Sequence, residues 1–340
     1  MQQLIECIPN FSEGRNPKTI AAIATAIRQI EGAQLLHIDQ GEAANRTVFT
    51  FVGPPKQLVE AAFQAIKTAS ELIDMRQQTG EHPRIGATDV CPLVPLANIT
   101  MEEVMQYAQE LGQRVGDVLD IPIYLYENNA SQPARRNLAT IRSGEYEGLA
   151  AKMELPDWQP DYGPMNFNAK SGATVLGARD FLIAYNVNLD TDSVEIANEI
   201  ARSVRASGRL VTQADGTKKR VPGKLKYLKA IGWYIEEYSK AQVSMNLTNM
   251  YETSVHHAFE ACVEAAEQLG VKVTGSELIG LIPQQPLLAA GKYYSVKLGK
   301  ETKDMEELIA IGINALRLDE LAPFNSEERI IEQVLQQINH

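Results

Sequence analysis

Cysteine is scarce in this chain. Cys7, Cys91 and Cys262 are three in number, far apart and in no CxxC pattern, which excludes a disulfide framework and a thiolate zinc site and fits a reducing compartment. They read as buried, ordinary thiols. Long apolar runs are also missing: no stretch approaches the roughly 18 residues of a membrane span. The opening MQQLIECIPNFSEGRNPKTI has neither a basic start nor a sustained apolar segment. The expectation is a cytoplasmic protein with no secretion signal and no membrane contact. Excess positive charge is absent as well, and a formal net charge of −11 argues against a nucleic-acid partner. No GxSxG, GxGxxG, DxD-type metal pair or Cys-His nucleophile spacing stands out. No metal or nucleotide is therefore expected.

What is present is material for a large core. The 340 residues are 44% hydrophobic, and that length exceeds the roughly 100–200 residues common for one domain. Residues 4–9 read as a buried strand ending in a loop over 10–16. Asn16 as cap, Pro17 at the first helical position and Ile20, Ile23, Ala24, Ile27 and Ile30 at helical spacing then predict a helix that Gly32 stops. Strands over 33–39 and 46–52 follow, then a helix over 54–75. After a long polar loop, Thr100 and Glu103 form a capping-box signature for a helix, and 121–126 reads as a strand. Residues 127–170 look like connecting structure with short helices.

The second half repeats the pattern. Strand 181–189, helix 192–206, a hairpin of 227–237 with 241–247, helix 253–269 and strand 271–273 give βαββαβ again, and two helices, 304–317 and 326–338, close the chain. The expected fold class is α/β (α+β): two βαββαβ sandwich subdomains, 1–178 and 179–340, with mixed sheets covered by helices, plus C-terminal helices.

Several segments carry polar chemistry. The loop over 80–89, GEHPRIGATD, packs a histidine, an arginine and acids between glycines. His82 can take and give a proton near neutral pH, Arg84 can bind a carboxylate, and Glu81 or Asp89 can orient the imidazole. The other reading is a surface loop whose histidine only forms a hydrogen bond. Asn10 follows the first strand, where ligand sites often lie. Asp39 shares a strand face with His37, either as a structural pair or in support of a site. Between Arg202 and Lys229, nine cations including Arg209 meet one acid, Asp215, an island suited to a small polyanion. Residues 163–179 are glycine-rich without being a P-loop. Their glycines permit close backbone approach to a ligand and Phe167 can pack on a flat ring, or the segment is a domain linker. His256 and His257 sit side by side, not at the i, i+4 spacing of a metal pair.

At these residues the chain resembles the glutamate formimidoyltransferase family. The matching pieces are ECIPNFSEG at 6–14, NRTVFTFVG at 45–53, EHPRIGATDVCPLVP at 81–95 and GP-x-x-F-N-x-K-x-GA-x-x-x-GAR at 163–179, and the likeness is read as covering nearly the whole chain. It implies that His82 is the catalytic histidine and that Gly163, Pro164, Met165, Asn166, Phe167, Asn168, Ala169, Lys170, Ser171 and Gly172 bind folate. With it, Asn10, Asp39, Arg84 and Arg209 become substrate-binding candidates. The implied reaction moves a formimino group from N-formimidoyl-L-glutamate to N5 of the co-substrate tetrahydrofolate, releasing glutamate in histidine degradation. The basic island would receive a polyglutamylated folate tail, and a homodimer is expected. A cyclodeaminase domain, present in some relatives, is expected to be absent after His340. Formyl transfer, from N-formylglutamate or 5-formyltetrahydrofolate, and folate binding without turnover are the alternatives.

Overall fold

Asn16 caps the first helix by accepting from Lys18 N and Thr19 N, and the buried stripe Ile20, Ile23, Ala24 and Ile27 docks it. The computed structural model describes residues 2–213 and 215–338, which form two compact units, 1–180 and 181–340. In the first unit the elements are β1 (Leu4–Cys7), β2 (Asn10–Phe11), α1 (Pro17–Arg28), β3 (Gln34–Gly41), β4 (Arg46–Gly53), α2 (Pro55–Leu72), β5 (Thr88–Ala97), α3 (Met101–Leu119), β6 (Ile123–Leu125), α4 (Leu138–Arg142), α5 (Glu145–Met153) and β7 (Thr174–Ala178). Thr100 and Glu103 form the expected capping box on α3.

The seven strands make one mixed sheet. β1 and β2 both pair antiparallel with β4 and β5, while β7 runs parallel to β5 and β6. Alternation along the strands sorts side chains by face. Ile5, Cys7, Phe11, Phe49, Phe51, Cys91 and Leu176 pack with α1, α2 and α3. On the opposite face Val90, Tyr124, Tyr126 and Val175 meet Ile141 of α4 and Leu149 of α5. The β3–β4 part of that face carries His37, Asp39, Arg46 and Thr50, set by the pairs His37↔Thr50, Asp39↔Val48 and Gly41↔Arg46.

The second unit comprises β8 (Ile183–Leu189), α6 (Val194–Val204), β9 (Arg209–Thr212), β10 (Lys218–Val221), β11 (Leu228–Ile235), β12 (Lys240–Leu247), α7 (Val255–Gln268), β13 (Val273–Ile279), α8 (Gln284–Lys297), α9 (Met305–Leu316), α10 (Ser326–Arg329) and α11 (Ile331–Ile338). Its four-stranded sheet, in the order β11-β12-β8-β13, is antiparallel at every pairing rather than mixed. β9 and β10 form a separate two-stranded hairpin, which carries the cations of the basic island. α8 was not anticipated. It lies against α9 at Gly291, where a Cβ would stand 2.0 Å from Leu308 O.

Two other departures shape the site. The segment around Asn10 is not a loop: after a break at Ile8 and Pro9 the chain re-enters the sheet as β2. The polar loop before Thr100 contains β5, disguised by Pro92 and Pro95, because proline is uncommon inside a central strand. Gly172 also acts differently from expectation. It has φ +65° and forms an isolated bridge with Gly86. There Ala87 N donates to Ser171 O at 2.8 Å and Ala173 N to Ile85 O at 3.0 Å. A Cβ on Gly172 would lie 2.1 Å from Ile85 O, so this glycine admits the His82 loop rather than a ligand. Gly172→Val should destabilise the protein by roughly 1–3 kcal/mol through left-handed strain and weaken both expected substrates together. Urea unfolding with paired binding titrations checks this, and selective loss of folate at unchanged stability contradicts it.

Candidate active site

Val48 marks the centre of the candidate site. It pairs with Asp39 on one side and with Asn10 on the other, so Asp39, Val48 and Asn10 form a row on the face away from α1–α3. Arg46 stands two residues along the same strand and face. Its Nε donates to Asn10 Oδ1 at 2.9 Å and its Nη2 donates to the same oxygen. Its Nη1 reaches the edge of the His82 ring, 2.5 Å from each nitrogen. Asn10 Nδ2 is anchored on Ile8 O at 2.9 Å. Three predicted residues, Asn10, Asp39 and His82, are therefore gathered around an arginine that the sequence reading did not select.

The hydrogen-bond network assigns the His82 tautomer. A carbonyl oxygen only accepts and a guanidinium only donates. Nδ1, 2.8 Å from Pro83 O, is thus the protonated nitrogen, and Nε2 carries the lone pair. Burial first, then the charges of Arg46 and Arg142, push the His82 pKa well below its ordinary value, against the opposing hydrogen bond to Pro83. The ring is neutral at pH 7. Arg46 itself is lowered to about 9 by burial and by Arg142, with Asp89 opposing, and so keeps its charge. Asp89 accepts from Ile85 N at 3.0 Å and from Arg142 Nε at 3.3 Å. It is the extra residue of a β-bulge, since the ladder pairs Asn10 with Val90 and Phe11 with Thr88. Its carboxylate positions Arg142.

Arg84 takes up a different role from the expected one. Its guanidinium is already committed to Gln78, Glu145 and Glu147, at 2.7 Å, 3.1 Å and 2.6 Å for the shortest contact with each. Arg84, Thr79, Gly80, Gly144, Glu145 and Glu147 line an open cleft of about 490 Å³. Tyr146 connects this cleft to the folate candidates, donating from its hydroxyl to Ala169 O at 2.5 Å and from its N–H to Arg84 O at 2.9 Å. Its ring tilts against Phe167 with centroids 5.4 Å apart.

Within 163–172, Asn168 Nδ2 donates to Asp120 O and Lys170 Nζ to Glu71 O, while Met165 is exposed. Gly163 has φ +80° and abuts Ile121 O. Pro164 and Asn166 lie in the same irregular stretch, and Ser171 N is held by Asn168 Oδ1 at 3.0 Å. In the second unit, Arg209 is exposed on β9 and pairs with Glu199. His37 Nε2 lies 3.9 Å from Asp39 Oδ2. His257 accepts from Ser254 N at 3.4 Å as part of a helix cap.

Arg46, Arg142, Arg179 and Glu6 were not selected from sequence. Arg46 had a usable signal, being polar at an outward position of a strand whose alternate residues are apolar. Arg142 had none, because it lies in the irregular stretch after β6. Glu6 shares the face of Asn10 and is 1% exposed, with Oε2 unbonded. Burial raises its pKa from 4.5 to about 7, against the pull of Arg179. Folding therefore favours the protonated acid, and stability falls as pH rises from 4.5 through 7. The difference amounts to about 3 kcal/mol. Glu6→Gln should flatten this loss, so that its urea midpoint exceeds wild type at pH 8 but not at pH 4.5. Parallel pH profiles for the two proteins would contradict this account.

Comparison with known proteins agrees with the motifs. The N-terminal subdomain of the formiminotransferase domain matches residues 4–179, and the formiminotransferase domain matches 184–336. A glutamate formimidoyltransferase of Streptococcus pyogenes serotype M1 is 44% identical over 294 residues, covering 86% of this chain and 94% of that protein. One from Thermoplasma acidophilum is 42% identical over 293 residues, with 86% and 92% covered. The formimidoyltransferase-cyclodeaminase of Dictyostelium discoideum is 46% identical over 337 residues, covering 99% of this chain but 61% of that protein. The chain thus spans about three-fifths of the length of that longer relative. A solved microcompartment protein from Desulfitobacterium hafniense aligns at 10% identity and a TM-score of 0.21, over 82% of this chain and 94% of its own, a level that carries no argument. On the two domain matches and the full-length similarity to these transferases, the chain belongs to the formiminotransferase family.

Proposed function

We propose that this chain transfers the formimino group from N-formimidoyl-L-glutamate to N5 of tetrahydrofolate, yielding 5-formimidoyltetrahydrofolate and L-glutamate in histidine degradation. The observation that carries the reading is a neutral His82 flanked by Arg46 and Arg142 inside the family's EHPRIGATD segment. A dicarboxylate donor needs cations, and the amine exchange needs a group able to both accept and return a proton.

His82 Nε2 accepts the proton that N5 sheds on attacking the formimidoyl carbon. It then returns that proton to the glutamate nitrogen as the C–N bond to glutamate breaks. Arg46 and Arg142 hold the donor's carboxylates, and Asn10, Asp39 and Asp89 fix the cations. Residues 163–172 take the pterin, where Phe167 on Tyr146 and exposed Met165 offer apolar surface to a flat ring. Holding both substrates in one orientation supplies much of the remaining rate. The enzyme acts in the cytoplasm, as a homodimer, and is one of the transferases of one-carbon metabolism.

The direct test is incubation with tetrahydrofolate and either N-formimidoyl-L-glutamate or N-formyl-L-glutamate, following glutamate release. Faster turnover of the formyl donor overturns the assignment of donor, and no turnover of either overturns the enzyme reading. His82→Ala should fold normally and lose about 10²-fold or more in kcat; a variant with wild-type turnover would remove His82 from the chemistry.

The hairpin of β9 and β10 receives the polyglutamate tail of the folate. Lys218, Lys219 and Arg220 are exposed there. KM should fall with tail length, and the advantage should shrink with salt, because exposed charges are screened beyond about 8 Å at physiological ionic strength. Charge reversal at Lys218, Lys219 and Arg220 should abolish the preference without affecting the monoglutamate. A KM independent of tail length at low salt rules out this role.

A further inference from the structure

Arg46 is held in an unusual way for a buried cation. Arg84 faces Glu145 and Glu147, Arg135 faces Asp161 and Arg142 faces Asp89, yet among the described residues no carboxylate forms a salt bridge with Arg46. Its donors are spent on a neutral amide oxygen, Asn10 Oδ1, and on the His82 ring. The nearby acid, Asp89, has its oxygens engaged by Arg142 and Ile85 N. The guanidinium charge thereby stands against the edge of the His82 ring, 2.5 Å from both nitrogens, where it disfavours a second proton on the imidazole.

We propose that Arg46 is a positioning residue that gates His82. Without substrate its guanidinium charge stands against the ring and opposes a proton there, and a carboxylate of the donor draws the guanidinium onto itself and lets the ring act as a base. The inference rests on the reading of this site as one for a glutamate-derived donor. A carboxylate is the stronger partner for the guanidinium, because it brings a full opposite charge where the Asn10 amide and the imidazole are neutral acceptors. Its charge also compensates the two cations that hold the ring neutral. The charged groups that bear on the ring are Arg46 from β4 and Arg142 from α4, with Asp89 from β5 acting on Arg46, Glu81 beside His82 in its own loop, and Asp39 from β3 on the same sheet face as Arg46. Binding of an anion thus changes the balance from two cations against one engaged acid to near neutrality. The base becomes competent only once the donor is in place.

The test is a titration of the His82 ring by ¹⁵N NMR, assigned with His82→Gln, in the presence and absence of saturating glutarate as a dicarboxylate probe. In wild type glutarate should raise the midpoint by about one pH unit or more, as expected for an opposite charge brought close. In Arg46→Gln the midpoint without glutarate should already be higher than in wild type, and glutarate should move it little. The same variant should lose kcat/KM for the donor, with the acidic limb of its pH profile displaced upwards. A wild-type midpoint unmoved by glutarate overturns the gate, as does an Arg46→Gln midpoint equal to that of wild type. If the variant does not fold, the wild-type titration decides alone. The titration needs no turnover: a glutarate-dependent midpoint in a protein that fails to transfer the formimino group would support the gate while refuting the reaction.

Discussion

Asn45 is the stitch on which the site's geometry depends. It sits in the left-handed region with φ +46°, a conformation that asparagine tolerates better than most residues. Its side chain accepts from Gly14 N at 2.9 Å and donates to Thr79 O at 2.7 Å, while its carbonyl accepts from Gln78 Nε2 at 3.1 Å. One buried residue thus ties the turn before β4 to the loop after β2 and to the approach of the His82 loop. The glycines agree with it: a Cβ on Gly14 would meet Gly41 O at 2.2 Å, and one on Gly80 would meet Ala44 O at 2.3 Å. Ser12 closes the arrangement by donating to Gly86 O at 2.7 Å. Three loops distant in sequence are fixed at backbone separation, and the short contact between Arg46 and His82 follows from it.

The electrostatics of the site follow from this rigidity. Arg142 lowers the pKa of Arg46, and the acid between them, Asp89, is engaged by Arg142 and Ile85 N. Such crowding opposes folding unless the backbone enforces it, and it leaves the folded chain with an unmet demand for negative charge. A site left electron-poor in this way selects anionic ligands and suppresses protonation of its histidine at the same time. Both properties come from one arrangement of Arg46, Arg142 and His82.

Much of this was legible in the sequence, and what was not has identifiable reasons. Helical periodicity and caps located α1 and α3, and β-alternation located β3, β4, β11 and β12, because those signals are local. β5 escaped because Pro92 and Pro95 look like strand breakers, although Pro92 O still accepts from Ile8 N at 3.2 Å. β2 escaped because a break at Pro9 reads as the end of a strand. For the site, the density of polar groups in residues 80–89 and the family motifs singled out His82, and the strand pairings then gathered Asn10 and Asp39 near it. Arg84 was chosen for its nearness in sequence to His82. Its actual partners, Glu145 and Glu147, lie some 60 residues on, in a stretch with no periodic signal. Contacts of that span are set by tertiary packing, which single-residue chemistry does not reveal.

Each sheet carries side-chain hydrogen bonding on the face away from its main helical layer, although in the first unit that face also packs α4 and α5. In the second unit Gln242 and Asn188 are fully buried. Gln242 Nε2 donates to Asn188 Oδ1 at 2.7 Å, Asn188 Nδ2 donates to Glu320 Oε2 at 2.6 Å, and Trp233 Nε1 donates to Gln242 Oε1 at 2.9 Å. Burial pushes the Glu320 pKa upward, yet hydrogen bonds from Asn188, Thr274 and Lys240 outweigh it and hold the carboxylate below its ordinary value. Packing alone does not call for such a network, since unpaired buried amides cost more than apolar side chains of the same volume. Its completeness makes the face stiff and of one conformation.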